Sequence, residues 1–130
     1  MIRWLDCIRD RRPPVIHGDG STTMDFVFVK DIAKANVAAL FAEKCNETFN
    51  IGSGEETSLL GLLDLLFKVN GSDLQPAFRE ENQVNPVKRR LADISKAKRM
   101  LGFTPATTLE NGIRELSDWY FLKKQNHLST

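Results

Sequence analysis

Segment 59–67 constrains the fold more than any other part of the chain. Leu59, Leu60, Leu62, Leu63, Leu65, Leu66 and Phe67 fill seven of its nine positions, which leaves a helix there almost no polar face. Such a helix must be surrounded by protein on most sides. It is also too short for a bilayer, which needs ~20 consecutive apolar residues. The chain therefore has to build a core around it from 130 residues, 42% of them hydrophobic. That is enough for one core and little more, so residues 1–130 are expected to form a single domain. No other run approaches spanning length, and Met1-Ile2-Arg3-Trp4-Leu5-Asp6 lacks the basic-then-apolar layout of a signal peptide. The expectation is a cytoplasmic protein with no membrane partner.

The elements around that helix follow from punctuation and period. Ile2, Leu5 and Ile8 recur every three residues, a short amphipathic helix that Pro13-Pro14 must end. Its arginines Arg9, Arg11 and Arg12 suit the negative pole of the helix. Val15-Ile16-His17 reads as a strand, Gly18-Asp19-Gly20-Ser21 as a turn, and Asp25-Phe26-Val27-Phe28-Val29 as a second strand. Segment 31–44 reads as a helix with Ile32, Ala35, Ala39 and Leu40 on one face, and 47–51 as a short strand. Gly52-Ser53-Gly54 forms a tight loop into the leucine-rich helix, expected over 58–69 and closed by Asn70-Gly71. Pro76-Ala77-Phe78 suits an edge strand and 80–88 a polar loop. Asp93 is placed to cap a helix running through Met100 and ended by Gly102. Thr107 and Glu110 have capping-box spacing for a final helix with Leu109, Ile113, Leu116 and Tyr120 on one stripe, and the last residues should fray.

Charge and cysteine content remove several functions. Eighteen Lys+Arg against 17 Asp+Glu leave a net +1, and aromatics do not interleave the basic residues, so a nucleic-acid partner is not expected. Cys7 and Cys45 lack CxxC spacing and sit in helical or apolar text, so both are expected as buried free thiols, and no metal site is implied. Gly52-Ser53-Gly54-Glu55-Glu56-Thr57 lies between a strand and a helix, as a dinucleotide loop does, but Thr57 stands at the third glycine. Glu55 and Glu56 also bring negative charge to the pyrophosphate position. It reads as a plain strand-to-helix turn. Tyr120 and Lys124 have the spacing of a tyrosine–lysine acid/base pair, yet Tyr120 sits on the core-facing stripe and reads as a packing residue. The basic cluster of Lys88, Arg89 and Arg90, preceded by Arg79, is the strongest local functional feature, because guanidinium groups suit bidentate contacts to diphosphate oxygens.

Several segments, in order, carry a resemblance that periodicity does not supply. They are Pro14-Val15-Ile16-His17-Gly18-Asp19-Gly20, Asp25-Phe26-Val27-Phe28-Val29-Lys30-Asp31-Ile32-Ala33, Phe49-Asn50-Ile51-Gly52, and Leu91-Ala92-Asp93-Ile94-Ser95-Lys96-Ala97 followed by Leu101-Gly102-Phe103. From about Pro13 to Tyr120 the chain resembles the C-terminal part of the extended short-chain dehydrogenases/reductases, the NAD-dependent nucleotide-sugar epimerases and dehydratases. The resemblance implies an α/β fragment of short strands and about five helices, the C-terminal portion of a Rossmann-type epimerase. It implies NAD and a catalytic tyrosine in an N-terminal Rossmann domain that this chain lacks, so the chain alone has no catalytic residue and binds no cofactor. It implies a UDP- or dTDP-sugar as substrate.

By the same resemblance, the backbone of Val15, Ile16 and His17 borders the nucleobase, Phe26 lies near the ribose, and Asn50 faces the substrate. Relatives carry diphosphate-binding arginines just before the Asp of the Asp-Phe-Val segment and ten residues before the Asp of Asp-Ile-Ser-Lys-Ala. Met24 and Gln83 stand there instead, so the diphosphate expectation rests on compensation by Arg79, Arg89 and Arg90. A second reading is a stand-alone binding or assembly module that pairs with a separate Rossmann chain or with itself as a homodimer.

Overall fold

The computed structural model describes residues 1–43, 46–80 and 87–127, with side chains to residue 123. In chain order these residues form helix α1 (Ile2–Arg9), strands β1 (Val15–His17) and β2 (Thr23–Met24), helix α2 (Val29–Leu40) and strand β3 (Thr57–Ser58). Helix α3 (Leu59–Asn70), strands β4 (Ala77–Arg79) and β5 (Arg89–Arg90), and helices α4 (Ser95–Leu101) and α5 (Leu109–His127) follow. The five helices and short strands give the expected α/β class.

Helix α3 organises the larger core. Leu62, Leu63, Leu66 and Phe67 are buried against Leu5 of α1, Ile16 of β1, and Ile113 and Tyr120 of α5. The exposed side carries Asp64 and Lys68. Its start is fixed by Ser58, whose hydroxyl accepts from the Gly61 amide at 3.0 Å. Its end is fixed by Gly71 at φ +60°, the left-handed conformation that glycine adopts without a Cβ penalty. A smaller core of Ala35, Ile94, Ala97 and Phe103 joins α2 to α4.

The strands form two small sheets. β1 pairs in parallel with β4, Val15 opposite Ala77 and His17 opposite Arg79. In the other sheet β2 is central, antiparallel to β3 and parallel to β5.

Several boundaries differ from expectation. The strand expected over 25–29 does not form: the observed strand β2 stops at Met24, Asp25 turns its carboxylate into backbone amides from two other segments, and Val29 already begins α2. Residues 47–51 form no strand, since the described residues offer them no neighbouring strand to hydrogen-bond. Strands β3 and β5 are not expected from the sequence, which puts Ser58 in the helix that follows; each exists because it pairs with β2. On α2, Ala35 is buried, but Ala39 and Leu40 of the expected inner face are exposed, with Val29, Val37 and Phe41. That helix packs on α4 alone among the described elements with extensive contacts.

The caps shift by one residue. Asp93 accepts from the Ser95 amide at 2.9 Å, and Ile94 holds the N-cap position of α4. Thr108, not Thr107, accepts from the Asn111 amide at the start of α5, while Glu110 turns to Lys68 and Arg114. Cys7 is a free thiol, but only partly buried. Cys45 and Gln83 lie outside the described residues. No helix among the described residues is long and apolar enough to cross a membrane, and none of their His, Cys, Asp and Glu side chains group as a metal site.

Candidate functional site

The residue that assembles the site is Asp25, at the point where β2 stops. One oxygen accepts from the Ser53 amide at 2.7 Å and the Ser53 hydroxyl at 2.6 Å; the other accepts from the Gly54 amide at 3.0 Å and, at 3.4 Å, the Ala92 amide. Burial pushes this carboxyl's pKa up, but the four hydrogen bonds outweigh it and hold it below the usual carboxylate range. One ionised side chain thus clasps β2 to the Gly52-Ser53-Gly54 loop and to the Leu91-Ala92 segment.

Beside the clasp lies an open cleft of about 520 Å³, bordered by Met24, Phe26, Gly52, Arg89, Arg90 and Ala92. Phe26 also borders a mostly apolar cavity of about 220 Å³ between the 26–28 segment with the start of α2 and the 107–116 region of α5 and its approach. Among the expected binding residues, the structure therefore brings Phe26, Arg89 and Arg90 to one cleft. The parallel register places Arg90 directly beside Met24, the position where the resemblance expects an arginine.

The two arginines of β5 differ in their surroundings. Arg89 donates through Nε and Nη2 to the two carboxylate oxygens of Glu56, both at 2.7 Å, and Thr23 donates to the same carboxylate at 2.8 Å. These bonds raise the Arg89 pKa and lower that of Glu56. Arg90 is half-buried and has no ion-pair partner among the described residues.

The other expected residues sit elsewhere. Ile16 is buried in the larger core, and the Val15 carbonyl accepts from the Trp4 indole at 3.3 Å. His17 and Arg79 are paired and exposed on the two-stranded sheet, with the Gly18 amide donating to the Arg79 carbonyl at 2.9 Å. Asn50 is exposed on the strand-less segment before Gly52.

Tyr120 is a packing residue, as its stripe predicts. Its ring is buried, its hydroxyl donates to Asp6 at 2.5 Å and accepts from Arg9 at 2.9 Å. Burial first, then the Asp6 bond and charge, push its pKa up to about 12, the reverse of what a general base needs.

Asp31 performs a second clasp, and it was legible only as part of a motif. Its buried carboxylate accepts from the Ala106 and Thr107 amides at 3.2 and 2.9 Å and lies 3.6 Å from the Lys34 ammonium. Burial raises its pKa; the Thr107 and Ala106 bonds and Lys34 overcome that, and the net shift is downward. Asp25 and Asp31 therefore have folded-state pKa values below their ordinary 3.8. For such groups the stabilisation is full above the unfolded-state value and is lost as pH falls through the folded-state value. The contribution of these two residues to thermal stability should thus be full and independent of pH near neutrality, and the unfolding temperature should shift downward below about pH 4. Asp31→Asn should flatten that acid limb; an unchanged pH profile in the variant would contradict the clasp.

The family profile described as GDP-mannose 4,6 dehydratase matches residues 4–116. A dTDP-L-rhamnose 4-epimerase of Burkholderia thailandensis is 34% identical over 115 residues, 85% of this chain and 31% of that protein. The structure of a Thermotoga maritima UDP-glucose 4-epimerase with UDP-glucose matches with a TM-score of 0.87 and 32% identity, over 95% of this chain and 39% of that one. A Bacillus cereus UDP-glucuronic acid 4-epimerase in complex with UDP-glucuronic acid and NAD matches with a TM-score of 0.85 and 32% identity, over 92% and 38%. The chain spans 31–37% of the length of the curated relatives it matches. On the ordered segments, the shared fold and the profile match over most of its length, the chain belongs to the nucleotide-sugar epimerase and dehydratase family of extended short-chain dehydrogenases/reductases.

Proposed function

We propose that this chain is the nucleotide-sugar-binding portion of an NAD-dependent sugar-nucleotide epimerase or dehydratase, and that the NAD-binding Rossmann domain with its catalytic tyrosine lies outside these 130 residues. The observation that carries the reading is the lopsided match: 95% of this chain superposes on 39% of an enzyme solved with UDP-glucose. The ligand of the cleft is a UDP- or dTDP-sugar, with Phe26 on the nucleoside side and the β5 arginines, Arg90 foremost, on the anionic side; Val15, Ile16, His17, Asn50 and Arg79 are not among its lining residues.

The glycine-containing loop of this chain does not fit NAD. The Ser53 and Gly54 amides, which a pyrophosphate would need, already donate to Asp25. The space over Gly52 is filled by Asp25 and Ala92. The cofactor belongs to the rest of the enzyme.

The test adds NAD with UDP-glucose or dTDP-glucose to the purified chain. Nucleotide-sugar binding without NADH absorbance or sugar conversion is the expected result; turnover would overturn the claim that the catalytic half lies elsewhere. The exposed apolar side chains at the end of α2 and at its C-cap, Leu40 at 78% and Phe41 at 79% exposure, favour the second reading of a module that pairs with a Rossmann chain or with itself. Sedimentation that shows a dimer which Leu40→Lys dissociates would support self-pairing.

A further inference from the structure

The cleft beside Asp25 holds two arginines, and only one of them is available to a ligand. Successive residues of a strand point to opposite faces, and β5 is a strand because it pairs with β2. Arg89 faces Glu56, which takes both arms of its guanidinium fork while also accepting from Thr23. That triad ties the ends of all three strands together: Thr23 from β2, Arg89 from β5 and Glu56 immediately before β3. Its charges cancel locally.

Arg90 is left opposite Met24 in the sheet and shares the lining of the cleft with Phe26 and Leu91. The other ionised lining group, Asp25, has both oxygens occupied by amide and hydroxyl donors. Among the described residues, Arg90 is thus the lining cation with no carboxylate of its own. A half-buried guanidinium next to apolar and aromatic surface is weakly hydrated and carries five donors in a planar fork, which suits an oxyanion.

We propose that Arg90 is the oxyanion-recognising residue of the cleft, and that Glu56 holds Arg89 as a brace that fixes β5 and hence the direction of Arg90. The oxyanion is the diphosphate of the nucleotide sugar or the carboxylate of an acidic sugar. This inference rests on the nucleotide-sugar reading above.

The test titrates the 130-residue chain, and its Arg90→Gln, Arg90→Lys and Arg89→Gln variants, with uridine, UDP-glucose and UDP-glucuronic acid. Circular dichroism confirms the fold of each. The native chain should bind the UDP-sugars more tightly than uridine. Arg90→Gln should weaken them by about tenfold or more, more than Arg89→Gln does, and Arg90→Lys should restore part of the loss. Equal weakening of both UDP-sugars assigns Arg90 to the diphosphate, and weakening of UDP-glucuronic acid alone assigns it to the carboxylate. If the native chain binds UDP-sugars and Arg90→Gln binds them equally well, or if Arg89→Gln loses more, the inference falls and the function stands. If the native chain binds none of the three, the function falls and the inference with it.

Discussion

Replacing Asp25 with alanine is expected to destabilise the domain by roughly 3 kcal/mol, because three backbone amides and a serine hydroxyl lose a charged acceptor at once and part-buried donors cannot all recover water. A domain of this size holds only about 5–15 kcal/mol in total, so the melting temperature should fall by about 10 °C. The damage is also directional. The clasp is what brings the Gly52-Ser53-Gly54 loop and the Ala92 segment against the end of β2, and these segments form the cleft wall. Nucleotide-sugar binding should therefore be lost even at temperatures where the variant remains folded. Asp25→Asn tests charge separately from shape: it keeps the volume but replaces one acceptor oxygen with a donor that faces amide N–H groups, so it should rescue little. A melting point within about 2 °C of the native chain for Asp25→Ala would mean that the amides find other partners and that the clasp does not organise the cleft.

Which parts of this architecture the sequence reveals depends on whether the information is local. The leucine-rich helix and its glycine exit are visible because period and left-handed terminus both lie within fourteen consecutive residues, from Ser58 to Gly71, whereas the capping role of Ser58 emerges only in the fold. Tyr120 is legible for the same reason, as one position on a stripe. The strands over 57–58 and 89–90 are not, since two-residue strands have no period and exist only through a partner far away in the chain. The failed strand at 47–51 shows the complementary error: its β-propensity is real, but nothing among the described residues pairs with it. The same holds for Leu40, whose apolar character marks it for burial while no described element covers it. At the site, the resemblance marks Asp25 and Asn50-Ile51-Gly52 as motif residues but says nothing of how they meet. Glu56 looks like a charge that repels phosphate until the fold shows it neutralising Arg89. No spacing rule links residues 33 positions apart.

Gly52→Ala should test the same junction from its opposite side. A Cβ built on Gly52 would lie 2.5 Å from the Asp25 carboxylate and 2.7 Å from the Ala92 Cβ, distances at which atoms overlap. Ordinarily a carboxylate would swing aside, but this one is held by four hydrogen bonds, and Ala92 is fixed by its own amide donating to the same group. Relief must come from moving backbone, so the substitution should cost about 1–3 kcal/mol, in the range of overpacked interiors. The requirement is for space rather than for backbone freedom, because Gly52 does not adopt a positive φ. The two substitutions should consequently couple: once Asp25 is alanine, the closest clash at Gly52 disappears and the 2.7 Å approach to Ala92 remains. Unfolding of Asp25→Ala, Gly52→Ala and the double variant should give a combined loss smaller than the sum of the single losses by at least about 0.5 kcal/mol, the signature of residues in direct contact. Strict additivity would separate the glycine from the clasp, and the motif would then need a reason other than close approach.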